Sequence, residues 1–252
     1  MIKEYLLWGE MMIAVFRKIR LDSFWIFGLF LIGINLSLKA APISIGNIIS
    51  DGNFQALNNW AINGTANLRA ASDNINSSSG NAGFNNFFSS SFAVLGDISG
   101  TITGGPDSGI HSISQTFVLP QSQNSVLIDT YDLTINFQTV FEGRDDLTVN
   151  SNFSDIFSAS LISSNNVFPL FSQNSLVFAS GPIGSGATKN LQIMNNPFNQ
   201  TITGLAPGTY TLNFVLDEKN GSANNTTNTA AGIDNVTITG IAKPFNYSDN
   251  RT

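Results

Sequence analysis

The sequence of 252 residues contains no cysteine. Disulfides, thiolate metal sites and a cysteine nucleophile are therefore excluded. Charged residues make up only 11% of the chain, and His111 is its single histidine. Asn, Ser, Thr, Gly and Phe fill much of the remainder, a composition that favours antiparallel strands joined by turns over helices.

Long apolar runs are also missing. The uncharged run Phe24–Leu38 has 15 residues, fewer than the ~20 that a membrane-spanning helix needs. It follows the basic stretch Arg17–Arg20 and ends before Ala40 and Ala41. This order predicts a secretory signal peptide over residues 1–40 and a secreted, extracellular or periplasmic protein, with an uncleaved membrane anchor as the alternative.

The first eleven residues contain Glu4 and Glu10, which are atypical of the basic start of a signal peptide. We therefore treat Met11 and Met12 as alternative starts. Beyond residue 40, six Lys or Arg face fourteen Asp or Glu, a net charge near −8. A surface of that sign, without a basic stripe, excludes nucleic acid as a partner and leaves the signal segment as the one route to a membrane.

The clearest periodicity lies in a segment that begins at Gly208. Its apolar residues alternate with polar ones and share one face: Tyr210, Leu212, Phe214 and Leu216. A period of two is typical of a strand with one face on a core. Nine or ten such short strands, without a convincing helix, predict an all-β fold, an antiparallel β-sandwich of jelly-roll type over 41–242 with a polar tail at 243–252.

Asp234 lies at the start of the predicted closing strand. Val236 and Ile238 alternate toward the core, and the same alternation directs Asp234 inward. A buried carboxylate is costly unless a cation or backbone N–H groups meet it. Asp234 is therefore expected either to bind a metal ion or to accept backbone N–H groups.

Two further residues invite a functional interpretation. Trp60 is the only tryptophan beyond residue 40, and it is expected in the core rather than exposed as a platform for sugars. His111 lies at the start of a predicted strand, without a Ser or Cys partner motif, and is expected to be solvated.

Several short motifs, in order, resemble exported bacterial jelly-roll domains, of the cyanobacterial type associated with PEP-CTERM sorting anchors. They are Asp51–Gln55, Trp60, Ser112–Pro120, Tyr210–Asp217 and Ile233–Val236. More distantly, they resemble carbohydrate-binding-module and galactose-binding-like domains. The sequence has no C-terminal Pro-Glu-Pro motif or apolar span, so we expect this copy to be freely secreted or held by a partner.

The resemblance implies a structural Ca²⁺ site where the chain ends meet, with Asp51, Asn53 and Asp234 as ligands. Oxygen-only ligands of this kind suit Ca²⁺. Gln55 stands where the family usually has Glu, which removes one charge from the implied site.

Three classes of function follow. The first is a non-catalytic secreted or cell-surface binding or matrix protein that contacts glycans or other extracellular components. The second is a structural component of an envelope or biofilm that assembles by sheet-edge pairing. The third is a glycan hydrolase, with Glu142 or Glu218 paired with Asp155 or Asp217. Because no catalytic motif is present and only two glutamates follow residue 40, we expect no enzymatic activity.

Overall fold

A computed structural model describes residues 40–71, 84, 87–96, 109–142, 155–174, 191–193, 197–219 and 230–245. The predicted signal segment, apart from Ala40, lies outside the described residues. Within the described residues there are thirteen strands: β1 (Ile43–Ile45), β2 (Ala61–Asn63), β3 (Ala66–Arg69), β4 (Phe92–Gly96), β5 (Gly109–Leu119), β6 (Ser122–Gln123), β7 (Val126–Glu142), β8 (Ile156–Ser163), β9 (Val167–Asn174), β10 (Leu191–Ile193), β11 (Phe198–Leu205), β12 (Gly208–Glu218) and β13 (Ala230–Pro244).

The strands form two antiparallel sheets. Sheet A runs β10-β7-β13-β4-β3, with β1 on β13 and both β11 and β6 on β7. Sheet B runs β2-β5-β12-β8-β9. The inner faces of the two sheets share one large apolar core, so the predicted all-β antiparallel sandwich of jelly-roll type is confirmed.

The periodicity of β12 is confirmed residue by residue. Tyr210, Leu212, Phe214 and Leu216 are buried, whereas the residues between them are only partly covered. Phe214 is fully buried, and its ring meets Phe137 of sheet A edge-on at 5.0 Å between centroids. One strand of sheet B therefore interlocks with the long strand β7 of sheet A through aromatic side chains.

The direction of Asp234 differs from the predicted one. β13 pairs with β7 up to Asp234↔Gln138 and resumes at Thr237↔Asn136, with an extra residue between. Asn235 has a φ of 54°, as expected at a β-bulge. The bulge reverses the alternation, so Val236 and Ile238 face the main core while Asp234 faces the outer side of sheet A.

A second, smaller apolar cluster covers this part of the outer face. It contains Phe84, Phe88 and Phe92 together with Val94, Val140 and Ala230. Gly232 lies beneath it, where an added Cβ would come within 2.6 Å of the Phe88 ring. Asp234 is fully buried beside this cluster, so the prediction that it is buried is confirmed, although on the opposite face.

The segment from residue 43 to residue 60 connects the two sheets; we call it the opening segment. On sheet A, the Ile48 N–H donates to the Ile238 carbonyl and the Val236 N–H donates to the Gly52 carbonyl. On sheet B, the Gln115 side chain donates to the Ser50 carbonyl and accepts from the Ser50 N–H. The expectation that the opening segment lies beside the closing strand is confirmed.

Candidate functional site

A groove lies on the outer face of sheet A, where β1, β7, β11 and β13 adjoin. It has a volume of about 350 Å³ and is lined by Ser44, Ile45, Asp132, Thr134, Thr201, Thr239, Gly240 and Ile241. The lining follows from strand register, since Thr239 pairs with Thr134 and Thr134 pairs with Thr201. Side chains at paired positions point to the same face, so this register brings three hydroxyls into one row.

Hydroxyl contacts fix part of this row. The Thr134 and Thr201 Oγ1 atoms lie 2.9 Å apart and share a hydrogen bond. A hydroxyl offers one donor and two acceptor lone pairs, so each can engage a ligand while keeping this bond. The pair therefore presents donors and acceptors at a fixed spacing.

Asp132 provides the charge at one end of the groove. Its Oδ1 accepts the Gly204 N–H at 3.0 Å, and its Oδ2 lies 2.6 Å from Lys243 Nζ. The hydrogen bond from Lys243 lowers the pKa of Asp132 below its ordinary value, against the opposing effect of burial. The carboxylate is thus ionised at neutral pH, oriented, and paired with the half-buried Lys243.

Gly240 is required by the close approach of β13 and β7 under the groove. An added Cβ at this position would lie 2.1 Å from the Asp132 carbonyl oxygen. Such a distance forces the backbone of one strand to shift. The shape of the groove therefore depends on glycine at this point in β13.

The three residues of the implied calcium site have separate partners. The Asp51 carboxylate accepts the N–H groups of Gln55 and Ala56, at 2.7 and 2.9 Å. The Asp234 carboxylate accepts the Ser90 hydroxyl and the Asn235 N–H, both at 2.7 Å. The Asn53 carbonyl receives only a long contact of 3.5 Å from the Gln55 side chain.

For Asp234 these contacts fit the expectation that it accepts a backbone N–H. They fit less well the alternative, in which Asp51, Asn53 and Asp234 bind one cation together. The carbonyl of Gly52, which lies between Asp51 and Asn53, accepts the Val236 N–H. Among the described residues, no group of three or more His, Asp or Glu side chains is placed to hold a metal ion. Calcium binding stays a prediction, and the residues present do not form an oxygen shell for it.

His111 is not solvated as expected. It is 4% exposed, its Nδ1 accepts the Thr65 N–H at 2.8 Å, and its Nε2 lies 3.8 Å from Glu218 Oε2. The register explains this burial, because His111 pairs with Leu216 and shares the inner face of sheet B with it. Single-residue reasoning missed it, although the alternation Ile113, Gln115, Phe117 extended back to His111 would have found it.

The carboxylates named for the hydrolase hypothesis are buried or paired with other groups of the protein, where the structure describes their side chains. Asp155 and Glu218 are buried, and Asp155 Oδ1 accepts the Lys219 N–H at 2.9 Å. Asp217 pairs with the Lys219 ammonium group. The side chain of Glu142 lies outside the described residues. Glu218 thus lies beside His111 on the inner face of the sandwich rather than on a wall of the groove.

Trp60 belongs to the core, as predicted. It is 5% exposed, its ring lies 5.1 Å from Phe54 and 6.2 Å from Phe214, and its indole N–H donates to the Asp51 carbonyl. It therefore offers no exposed surface on which a sugar could stack. The groove itself was not predicted, because its hydroxyls come from three strands whose register the sequence does not reveal.

No family model and no curated protein sequence matches the chain. Among the described residues, no helix is long and apolar enough to cross a membrane.

Solved structures do show likeness at low sequence identity. The K1 cleaved adhesin domain of Lys-gingipain from Porphyromonas gingivalis W83 is 10% identical, covers 79% of this chain and 98% of its own length, and gives a TM-score of 0.38. The C-terminal family 22 carbohydrate-binding module of Clostridium thermocellum Xyn10B is 11% identical. The match covers 81% of this chain and 99% of that module, with a TM-score of 0.35. The enzymatically active domain of bacteriophage CBA120 tailspike protein 4 is 14% identical. The match covers 76% of this chain and 21% of that protein's chain, again with a TM-score of 0.35. The chain is thus similar, at TM-scores below 0.5, to adhesin, carbohydrate-binding and tailspike domains.

Proposed function

We propose that this protein is a non-catalytic, secreted or cell-surface protein that binds an uncharged glycan in the groove of sheet A. The observation that carries the proposal is the convergence of three threonine hydroxyls and the ionised Asp132 on one concave surface. Sugar hydroxyls both donate and accept hydrogen bonds, and this lining offers both kinds of partner.

The size and charge of the groove narrow the class of ligand. Ligand pockets range from roughly 300 to 1,000 Å³, and a groove of about 350 Å³ lies at the small end of that range. It suits one or two sugar units of a longer chain. The net negative charge of the chain repels sulfated, phosphorylated or carboxylated glycans, and the one carboxylate that lines the groove is paired with Lys243, so a neutral sugar is the better match.

The same contacts support a binding role over a catalytic one. Glycoside hydrolysis by the usual mechanism needs two carboxyl groups roughly 5–9.5 Å apart across the bond to be broken. Of the eight residues that line the groove, Asp132 alone carries a carboxyl group, and that group is held by Lys243 and Gly204.

For the structural alternative, assembly by sheet-edge pairing, the described edges differ: β11, with eight residues, pairs only with β7 among the described strands, whereas other edges are short or interrupted. β2 has three residues and β3 has four. β9 is longer but contains Pro169, which cannot donate to a neighbouring strand. Short edges and an edge proline are features that limit edge-to-edge association.

A glycan array with the purified protein, followed by titration of the tightest neutral glycan, tests the proposal. We expect the double variant Thr134→Val/Thr201→Val to weaken binding about tenfold, since each lost hydrogen bond contributes ~0.5–1.5 kcal/mol. Valine keeps the shape of threonine and removes only the hydroxyl.

Sheet B supplies a matched control. Thr116 and Thr211 form the same cross-strand hydroxyl pair, at 2.8 Å, on the outer face of the other sheet. Thr116→Val/Thr211→Val should leave the affinity unchanged. Equal losses in the two double variants, or an array without any bound neutral glycan, would contradict the proposal.

A further inference from the structure

The outer face of sheet B carries almost no charge. Along β5 the outward residues are aliphatic or bear hydroxyls: Ile110, Ser112, Ser114, Thr116 and Val118. On β12 and β8 the outward positions are again hydroxyl, amide or aliphatic, with Asp217 as the exception. Asp217 lies at one end of β12 and pairs with the Lys219 ammonium group.

The centre of this face is defined by register. Asn213 pairs with Ser114 on one side and with Ser160 on the other. The next row contains Thr116, Thr211 and Ile162, paired in the same way. Three adjacent strands therefore present uncharged, mostly small side chains; together with the outward residues of the neighbouring strand β9, we call this surface the sheet B face.

Large aliphatic side chains are exposed on the same surface. Val118 and Val167 are each 64% exposed and Ile110 is 55% exposed. Val167 belongs to this surface because it pairs with Ile162, which points outward since the residue before it, Leu161, is buried in the core. Covering these exposed aliphatic side chains with a second surface removes them from water, which lowers the free energy.

We propose that a second copy of this chain covers the sheet B face, in a symmetric, face-to-face dimer. Hydroxyl and amide groups donate as well as accept, so such a face is complementary to itself under a two-fold axis. A face of one charge sign would repel its own copy. In a chain with a net charge of −6, this neutral face is a surface on which two copies can meet without opposing like charges.

The available area sets the strength of the dimer. Four strands, β5, β12, β8 and β9, spaced ~4.8 Å apart give a width of about 19 Å, and eight residues at ~3.3 Å each give a length of about 26 Å. The face therefore contributes on the order of 500 Å² per copy, or about 1,000 Å² in total. That is near the lower limit for a specific interface, so we expect a reversible dimer with a dissociation constant roughly micromolar or weaker.

Sedimentation velocity of the purified protein over a range of concentrations tests the dimer. We expect a monomer–dimer equilibrium in the wild type. Asn213→Asp, at the centre of the face, should raise the dissociation constant at least tenfold, because it buries two like charges in the contact. Asn213→Ser keeps the centre neutral and should retain the dimer.

Asn199→Asp is the matched control. Asn199 is exposed on β11, on the outer face of the other sheet, and the variant adds the same single negative charge. It should dimerise as the wild type does, and thermal melts should show that all three variants fold. A wild type that stays monomeric at every concentration overturns the proposal, as does equal weakening by Asn199→Asp and Asn213→Asp. Loss of glycan binding in Asn213→Asp with self-association unchanged would also overturn it, because the occupant would then be a glycan.

Discussion

Asp234 and Asp132 are two carboxylates of one sheet with opposite environments. Burial raises the pKa of Asp234 above 3.8, while Ser90 and the Asn235 N–H oppose this in part. The hydrogen bond from Lys243 lowers the pKa of Asp132 below 3.8. Opposite shifts predict opposite effects of pH on stability.

For Asp234, the folded state binds the proton more tightly than the unfolded state. The free energy of unfolding therefore falls as pH rises from about 3.8 through the folded pKa, and the penalty is complete above that pKa. We expect Asp234→Asn to be stabilised relative to the wild type at pH 7 and to lose this advantage toward pH 3.5. Urea denaturation across this range measures it.

For Asp132, the stabilisation is present above 3.8 and is lost as pH falls through the lowered pKa. Asp132→Asn should therefore be less stable than the wild type at pH 7 and should approach it in acid. Parallel pH profiles for the two variants would show that the assigned environments are wrong.

Asp234 also provides the test of the calcium prediction. Because Asp234 accepts the Asn235 N–H and the Ser90 hydroxyl, we expect the melting temperature to be the same with Ca²⁺ and with EDTA. A wild-type melting temperature that drops on chelation, together with an unresponsive Asp234→Asn variant, would instead establish a metal ion at this position.

Phe214 should dominate the stability of the main core. Phe214→Ala removes a fully buried ring that contacts Phe137 and Trp60, and it should lower the free energy of unfolding by ~3–5 kcal/mol. Thr211→Ala, on the partly exposed side of the same strand, should change it by less than ~1 kcal/mol. Denaturant titration compares the two; similar losses would mean that both faces of β12 are buried.

The opening segment links the two sheets, and on sheet B it is held by hydrogen bonds to the Gln115 side chain. The Gln115 amide donates to the carbonyls of Ser50 and Asn59, and its oxygen accepts the Ser50 N–H at 2.7 Å. Gln115→Ala removes three partly buried hydrogen bonds and should destabilise the fold by ~1–3 kcal/mol.

Hydrogen exchange distinguishes local opening of the opening segment from a loss of stability of the whole fold. In Gln115→Ala the amides of Ser50 and Val236 should exchange faster, whereas those at the centre of β12 should keep the protection expected from the global stability. Exchange that rises uniformly across the molecule would show that the segment is not a separate cooperative unit.

Strand pairing explains what the sequence could and could not predict. The alternation of β12 is sufficient to predict its buried face, because β12 pairs with β5 and β8 without a register shift. The alternation of Val236 and Ile238 predicts the wrong face for Asp234, because one extra residue at the Asn235 bulge reverses it. In the sequence the bulge appears only as a spacing of three, instead of two, between the core residues Ile233 and Val236.

The groove and the second apolar cluster were beyond sequence reasoning for a related reason. Thr134, Thr201 and Thr239 are distant in sequence, and only the pairing of β7 with β11 and β13 brings them together. Phe84 and Phe88 lie in a sequence segment rich in Ser, Asn and Gly, where no alternation predicts which way a side chain points.

At the scale of the whole molecule, the two outer faces have different chemistry. Sheet A presents a concave groove with an ionised carboxylate, and sheet B presents a face of uncharged side chains apart from Asp217. A ligand in the groove and a second copy on the sheet B face would not compete, since the sandwich core separates them. Glycan affinity measured per subunit should therefore be independent of protein concentration across the dimerisation range.

The location of the bound glycan tests the account most directly. In an NMR titration with the tightest neutral glycan from the array, amide shifts should concentrate in β1, β7, β11 and β13 around Thr134, Thr201 and Thr239. The amides of Ser114, Asn213 and Ser160 should stay unchanged apart from effects of protein concentration alone. Shifts confined to those sheet B amides, with the groove silent at saturating glycan, would contradict the assignment of the groove as the binding site.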